Sequence, residues 1–161
     1  MSRWLLAAAL LATPALARES LGMFESWGAF RDASVPRCYA IAMAEPRRGA
    51  KVDYQPYADV GHWPKRALRN QVHFRLSHKL LAGAPIRLRV GGQTFQLVGG
   101  GGDAWAADRR MDAAIVAAMR SATAMRVTAT SAGGRGFSDS YPLAGAASAI
   151  DAAALGCARG G

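Results

Sequence analysis

The stretch Ile86–Val98, IRLRVGGQTFQLV, decides the fold. Gly91-Gly92 suits the two-residue primed turn of an antiparallel hairpin, which needs positive φ at its centre. That turn sets Val90 opposite Gln93. The register then pairs Arg89 with Thr94, Leu88 with Phe95, Arg87 with Gln96 and Ile86 with Leu97. The last four pairs match apolar with apolar or polar with polar. Side chains of a strand alternate between faces, so one side of this hairpin is apolar and the other carries Arg87 and Arg89.

The same period of two recurs on either side. In Val72–Lys79 (VHFRLSHK), Val72, Phe74 and Leu76 point one way and His73, Arg75, Ser77 and Lys79 the other. A second hairpin joins Met125–Ser131 to Phe137–Leu143 across the glycine-rich Ala132–Gly136 turn. Cys38–Ala44 (CYAIAMA) is continuously apolar, as in a strand covered on both faces. Met23–Phe30 reads as a first strand anchored by Trp27. Asp53–Val60 holds a short strand near Tyr57, closed by a turn at Gly61–Pro64. After the glycine run Gly99–Gly102 a short strand carries Trp105. Asp108 caps a helix whose Met111, Ile115, Ala118 and Met119 share one face. A final alanine-rich helix spans about residues 144–155, and the spacing Leu143, Ala147, Ile150, Ala154, Cys157 brings Cys157 to its apolar side. The expected fold is mainly β, with seven or eight strands. It is an antiparallel β-sandwich or strongly curved sheet with two short helices in the C-terminal half. A single domain covers residues 18–161.

Residues 1–17, MSRWLLAAALLATPALA, have the parts of a signal peptide. Arg3 is the charged n-region, Trp4–Ala12 the apolar core, and Ala15-Leu16-Ala17 the small-x-small cleavage site. The apolar run is shorter than the roughly 20 residues of a transmembrane helix, and no later stretch is longer. A periplasmic or secreted domain is expected. Of 20 Lys and Arg only Arg3 would leave, so the mature chain keeps 19 against 11 acids, net +8. For an exported protein this charge points to anionic lipid, lipopolysaccharide or an envelope or host protein, and away from nucleic acid. A solvated basic surface with no partner is the plainer reading.

Two cysteines, Cys38 and Cys157, remain in an oxidising compartment, which favours a disulfide over two free thiols. Cys38 shares strand parity with Ala40 and Ala42, a row of small residues on which an alanine-rich helix carrying Cys157 can pack.

With these elements placed, the chain resembles the invasion associated locus B family of exported bacterial proteins. The resemblance runs from about Gly22 to Ala158. It rests on Trp27, CYAIAMAEP (38–46), FQL at 95–97 followed by Trp105, DAAIVAAMRSATAMRVTATS (112–131), DSYPLAGAASAI (139–150) and Cys157. It implies a small exported β-rich protein, in a family named for one member's role in host-cell invasion. It brings no catalytic residues with it. Residues 47–71 depart from the family pattern, being richer in Arg and Pro.

The chemical signals are few. Gly99–Gly102 is followed by Asp103-Ala104-Trp105 and lacks the Gly-Lys-Ser/Thr of a phosphate loop. Ser77, Ser140, His62, His73, His78 and Asp139 supply the residue types of a hydrolase, but no Gly-x-Ser-x-Gly elbow holds them. The residues therefore argue for no enzyme, no cofactor and no metal site. Asp139 shares parity with Phe137, Tyr141 and Leu143, so it faces the core and needs a partner there, Arg37 or a backbone amide. Asp108 and Asp112 fit capping and helix-dipole roles. The anion-binding candidates are His73, Arg75 and Lys79 on one strand with Arg87 and Arg89 on another; as neighbours, those strands would form one basic face. The leading reading is a non-catalytic binding or structural module of the envelope. Its rival is a hydrolase acting on an envelope polymer, for which His, Ser and Asp would gather in one pocket.

Processing gives the first test. Protein recovered from the periplasm should begin at Arg18 by intact mass, and a full-length chain confined to the cytosol would overturn export.

Overall fold

The computed structural model describes residues 18–158. Ten strands, β1 (Glu19–Phe24), β2 (Trp27–Asp32), β3 (Arg37–Met43), β4 (Tyr57–Trp63), β5 (Leu68–Arg75), β6 (Ile86–Val90), β7 (Gln93–Gly100), β8 (Asp103–Trp105), β9 (Ala124–Thr130) and β10 (Gly136–Pro142), form one antiparallel sheet. Its order is β1-β2-β3-β4-β5-β8-β7-β6-β9-β10, curved but not closed. Two helices complete the fold, α1 (Arg109–Met119) and α2 (Ala146–Ala158). The proposed signal peptide, residues 1–17, lies outside the described residues.

The decisive hairpin forms as the sequence dictates. β6 and β7 pair in the expected register, from Val90 opposite Gln93 to Ile86 opposite Leu97. Ile86, Leu88 and Val90 are buried and Arg87 and Arg89 exposed. The β9–β10 hairpin repeats this, with Met125, Val127, Phe137 and Tyr141 inside. Asp108 caps α1 as expected, its carboxylate accepting the Met111 amide at 2.8 Å. Asp112 sits in the first turn of α1, as the dipole role expects, and has a second partner. It is buried, and its Oδ1 accepts the Val72 amide at 2.8 Å, tying α1 to β5. β8 covers β5 only from His73 onward, which leaves Val72 without a partner on that side.

Several boundaries differ from the sequence reading, and in each case tertiary pairing overrides local pattern. Met23–Phe30 is two strands, folded at Glu25-Ser26 so that Phe24 faces Trp27. Buried Trp27 anchors that turn, its Nε1 donating to the Pro142 carbonyl at 2.9 Å. Gly145 must be glycine here: its φ is +86°, and a Cβ would run into the Phe24 carbonyl. Gly61–Trp63 belongs to β4, since Gly61 and His62 pair with Tyr39 and Cys38. The turn comes later, at Pro64–Arg66. β5 begins at Leu68 and stops at Arg75, so Ser77 and Lys79 leave the sheet; the Leu76 amide bonds instead to the Gly102 carbonyl. The outer edge of β10 is covered by the chain leaving β3, where the Glu45 amide donates to the Ser140 carbonyl at 2.8 Å and Arg47 to that of Ser138 at 2.7 Å.

Helix α2 lies over β1–β4 with Ala146, Ala149, Ile150 and Ala153 buried. It reaches Ala158, one turn past the expected end, and carries Cys157 to Cys38. The two form a disulfide with Cα atoms 5.7 Å apart, across 119 residues. A bond closing so long a loop removes much unfolded-chain entropy. Replacing both cysteines with serine should lower unfolding free energy by about 2–5 kcal/mol, read as a shifted urea midpoint. Dithiothreitol should shift the unaltered protein similarly, and an unchanged midpoint in both cases would refute the role.

Candidate functional site

The expected basic face does not form. β8 and β7 stand between β5 and β6, so His73 and Arg75 are separated from Arg87 and Arg89. The β5 pair is also neutralised. His73 Nδ1 lies 2.8 Å from Asp59 Oδ2 and its Nε2 3.0 Å from Asp103 Oδ1. Arg75 bonds the other oxygen of Asp103. Aromatic rings enclose this network: Trp105 lies over His73, Tyr57 meets it edge-on, and Tyr54 sits under Arg75 at 3.9 Å. Burial pulls the His73 pKa down, but the hydrogen bonds and charges of Asp59 and Asp103 together outweigh it and raise it. The signal for this network was present in the alternation of β5, but the partner acids sit on strands whose neighbours only the fold reveals.

Lys79 sits in the loop after β5, where its backbone amide, not its ammonium, is held by Asp53. Arg87 and Arg89 remain exposed on β6, where Arg89 lies opposite Arg126 of β9. They make a separate, smaller basic patch.

Cations held by aromatic rings rather than by acids lie elsewhere, on the outer face of β2–β4 and the turn that follows. The Arg37 guanidinium stacks 4.4 Å from the Tyr39 ring and 5.2 Å from that of Trp63. Arg18 approaches the Tyr39 ring at 5.6 Å and Arg66 the Trp63 ring at 4.9 Å. Guanidinium over an aromatic face is attracted by the ring quadrupole. Beside Arg37 a cavity of about 300 Å³ is lined by Arg31, Asp32, Pro64, Lys65 and Cys157. Asp32 is already engaged, its Oδ1 accepting from Ser34 and Val35, and those bonds hold its pKa low. Arg18, Arg31, Arg37, Lys65 and Arg66 have no ion-pair partner among the described residues. Arg37 Nε is buried without a hydrogen-bond partner. Arg-x-Tyr at the head of β3 was the available signal. That signal is masked by Gly61–Pro64, which has the composition of a turn and so hides the place of Trp63 in the sheet.

Asp139 is buried as its parity requires, at 4% exposure. Its partner is not Arg37 but the Ser77 amide, which donates to Oδ2 at 2.9 Å. The reason is distance in the fold: Arg37 leads the outer ladder while Asp139 faces the core from β10. Ser77, His78 and Asp139 do line one cavity, the gathering that the hydrolase reading required. No hydrogen bond among the described residues joins the Ser77 hydroxyl to His78, or Asp139 to an imidazole. His78 Nδ1 faces Asp53 at 3.4 Å instead. A nucleophile–base–acid relay needs those links, and the hydrolase reading has no support. Among the described residues no group of three or more His, Cys, Asp or Glu is arranged to hold a metal ion, and no helix is long and apolar enough to cross a membrane.

These features define a class: a small disulfide-linked domain, one curved antiparallel sheet braced by two helices, with arginine stacked on its outer face. The chain belongs to the invasion associated locus B family, whose model, described as Invasion associated locus B (IalB) protein, matches residues 33–154. No curated protein and no solved structure matches it.

The His73 network has a pH signature. With its pKa raised, the folded chain holds this proton more tightly than the unfolded one. The stabilisation is complete below the ordinary histidine value of 6.5 and lost as pH rises through the folded-state value. Buried His62, its pKa lowered first by burial and then by Arg69, has the opposite slope. His73→Gln should cost about 1–3 kcal/mol near pH 6, from leaving two carboxylates without their shared donor. The gap to the unaltered protein should shrink toward about pH 9. Urea unfolding of both proteins across that range checks this, and a gap constant with pH would refute it.

Proposed function

We propose that the protein is an exported, non-catalytic binding module that takes anionic groups of the cell envelope on its Arg37 face. The observation that carries this reading is the Arg37 guanidinium itself, stacked on two aromatic rings, its Nε sealed inside, with no ion-pair partner among the described residues and with Arg18, Lys65 and Arg66 nearby. Stacking fixes the plane of the fork, so less side-chain freedom is lost when an anion arrives. Phosphate and carboxylate match that fork in two parallel bonds. A basic surface serving solubility alone has no need to order its arginines in this way.

The face with His73 and Arg75 is a poor competitor because its cations are matched by Asp59 and Asp103. The Arg87, Arg89 and Arg126 patch is exposed, but no aromatic ring orders it among the described residues. Family membership is consistent with an exported β-rich module and assigns no ligand.

Retention on phosphatidylglycerol vesicles or immobilised lipopolysaccharide tests the proposal. Binding should fall as salt is added, because screening shortens to about 3 Å at 1 M. Arg37→Gln with Lys65→Gln should weaken it about ten-fold or more, the scale of one charged hydrogen bond. Arg87→Gln with Arg89→Gln should change it much less. Retention that ignores salt and the Arg37 pair alike would overturn the proposal.

A further inference from the structure

The cavity that holds Asp139 is a second site with a different chemistry. It measures about 200 Å³, and Ala44, Pro46, Val52 and Pro56 give it apolar walls. Ser77 and Asp139, both at least nine-tenths buried, line it. Only one oxygen of Asp139 is used, the Oδ2 that accepts the Ser77 amide. Oδ1 has no hydrogen-bond partner among the described residues, and it is not one of the polar atoms sealed from the surface. The same holds for the Ser77 hydroxyl.

The neighbouring cations do not answer this carboxylate. Arg47 is turned to the Ser138 carbonyl at 2.7 Å. His78 faces Asp53 at 3.4 Å and packs edge-on to Phe137. Glu45 adds a further carboxylate, so the lining holds two acids and one arginine. A buried carboxylate without a cation is unfavourable, and one that opens into a cavity can receive its cation from outside.

We propose that this cavity binds a primary ammonium group at the end of a short aliphatic chain. The ammonium donates to Asp139 Oδ1 and the Ser77 hydroxyl, and the chain lies against Val52, Pro46 and Pro56. An ammonium has three donors and needs no fork. A guanidinium pairs best with both oxygens of a carboxylate, and here one is taken. An anion would meet Asp139 and Glu45. The site shares no residue with the Arg37 face, so either reading can fail alone.

The probe is n-butylammonium chloride, with n-butanol as the uncharged control of the same shape, followed by amide chemical shifts of the protein. Saturable shifts at Ser77, His78 and Asp139 should appear with the amine and not with the alcohol. Asp139→Asn keeps an acceptor for the Ser77 amide but removes the charge. It should weaken amine binding about ten-fold or more. Val52→Trp fills the mouth from a half-exposed wall position and should weaken binding without touching the carboxylate. Tighter binding of an α-amino-blocked lysine amide would identify a peptide side chain as the source, and tighter binding of cadaverine a free amine. Equal shifts with butanol, no saturation, or binding that survives both substitutions would overturn the site.

Discussion

The close approach of α2 to β3 is the constraint on which the rest of the structure depends. Strand β3 presents Cys38, Ala40 and Ala42 to the helix, and the helix answers with Ala146, Ala149 and Ala153 around Ile150. Small side chains on both partners let helix and sheet pack tightly, and tight packing sustains dispersion contacts that a larger residue would forfeit. The same helix reaches over β1, β2 and β4. The chain that leads into it passes beneath the β1–β2 turn, where Gly145 has room only for hydrogen. The first four strands are thus held by one element. A single bulky substitution at Ala40 or Ala149 would crowd this contact against the Cys38–Cys157 link.

The outer surface is sorted by the order of the strands. Between β4, β5 and β8, acids and bases fall on adjacent strands and cancel: Asp59, His73, Asp103 and Arg75 form a closed set. Over β3 and β4, Arg18, Arg37 and Arg66 meet aromatic rings instead, and rings hold a cation without neutralising it. The protein therefore keeps most of its charge but concentrates its ordered, unpaired part on one face. Net charge alone gives no hint of that division.

The residues disclose the local pairings and miss the assembly of them. The β6–β7 and β9–β10 hairpins, the Asp108 cap and the burial of Asp139 were legible because each depends on neighbours close in sequence. The disulfide was legible because strand parity and helix spacing bring Cys38 and Cys157 to facing sides. What escaped was set by partners far along the chain. Glu25-Ser26 carries no Gly or Pro to mark a turn, and contacts with the distant Pro142–Gly145 segment make it one. Gly61–Trp63 looks like a turn and is a strand because β3 pairs with it. Strand order cannot be read from alternation, since β5 and β6 each present cations outward and have two strands between them. Hence the candidate site moved from His73, Arg75, Lys79, Arg87 and Arg89 to Arg37 and its surrounding cations.

The Cys38–Cys157 bond also makes the protein, topologically, a ring. Nearly every sheet residue from β3 onward, and all of α1, lies inside the covalent circle. A protease that cuts an exposed loop within it, such as Ala132–Gly136, opens the ring without releasing a fragment. The two pieces stay joined at the place where α2 meets β3, and their contacts remain intramolecular. The first nick is then an injury the fold can absorb, and only a second one frees a fragment.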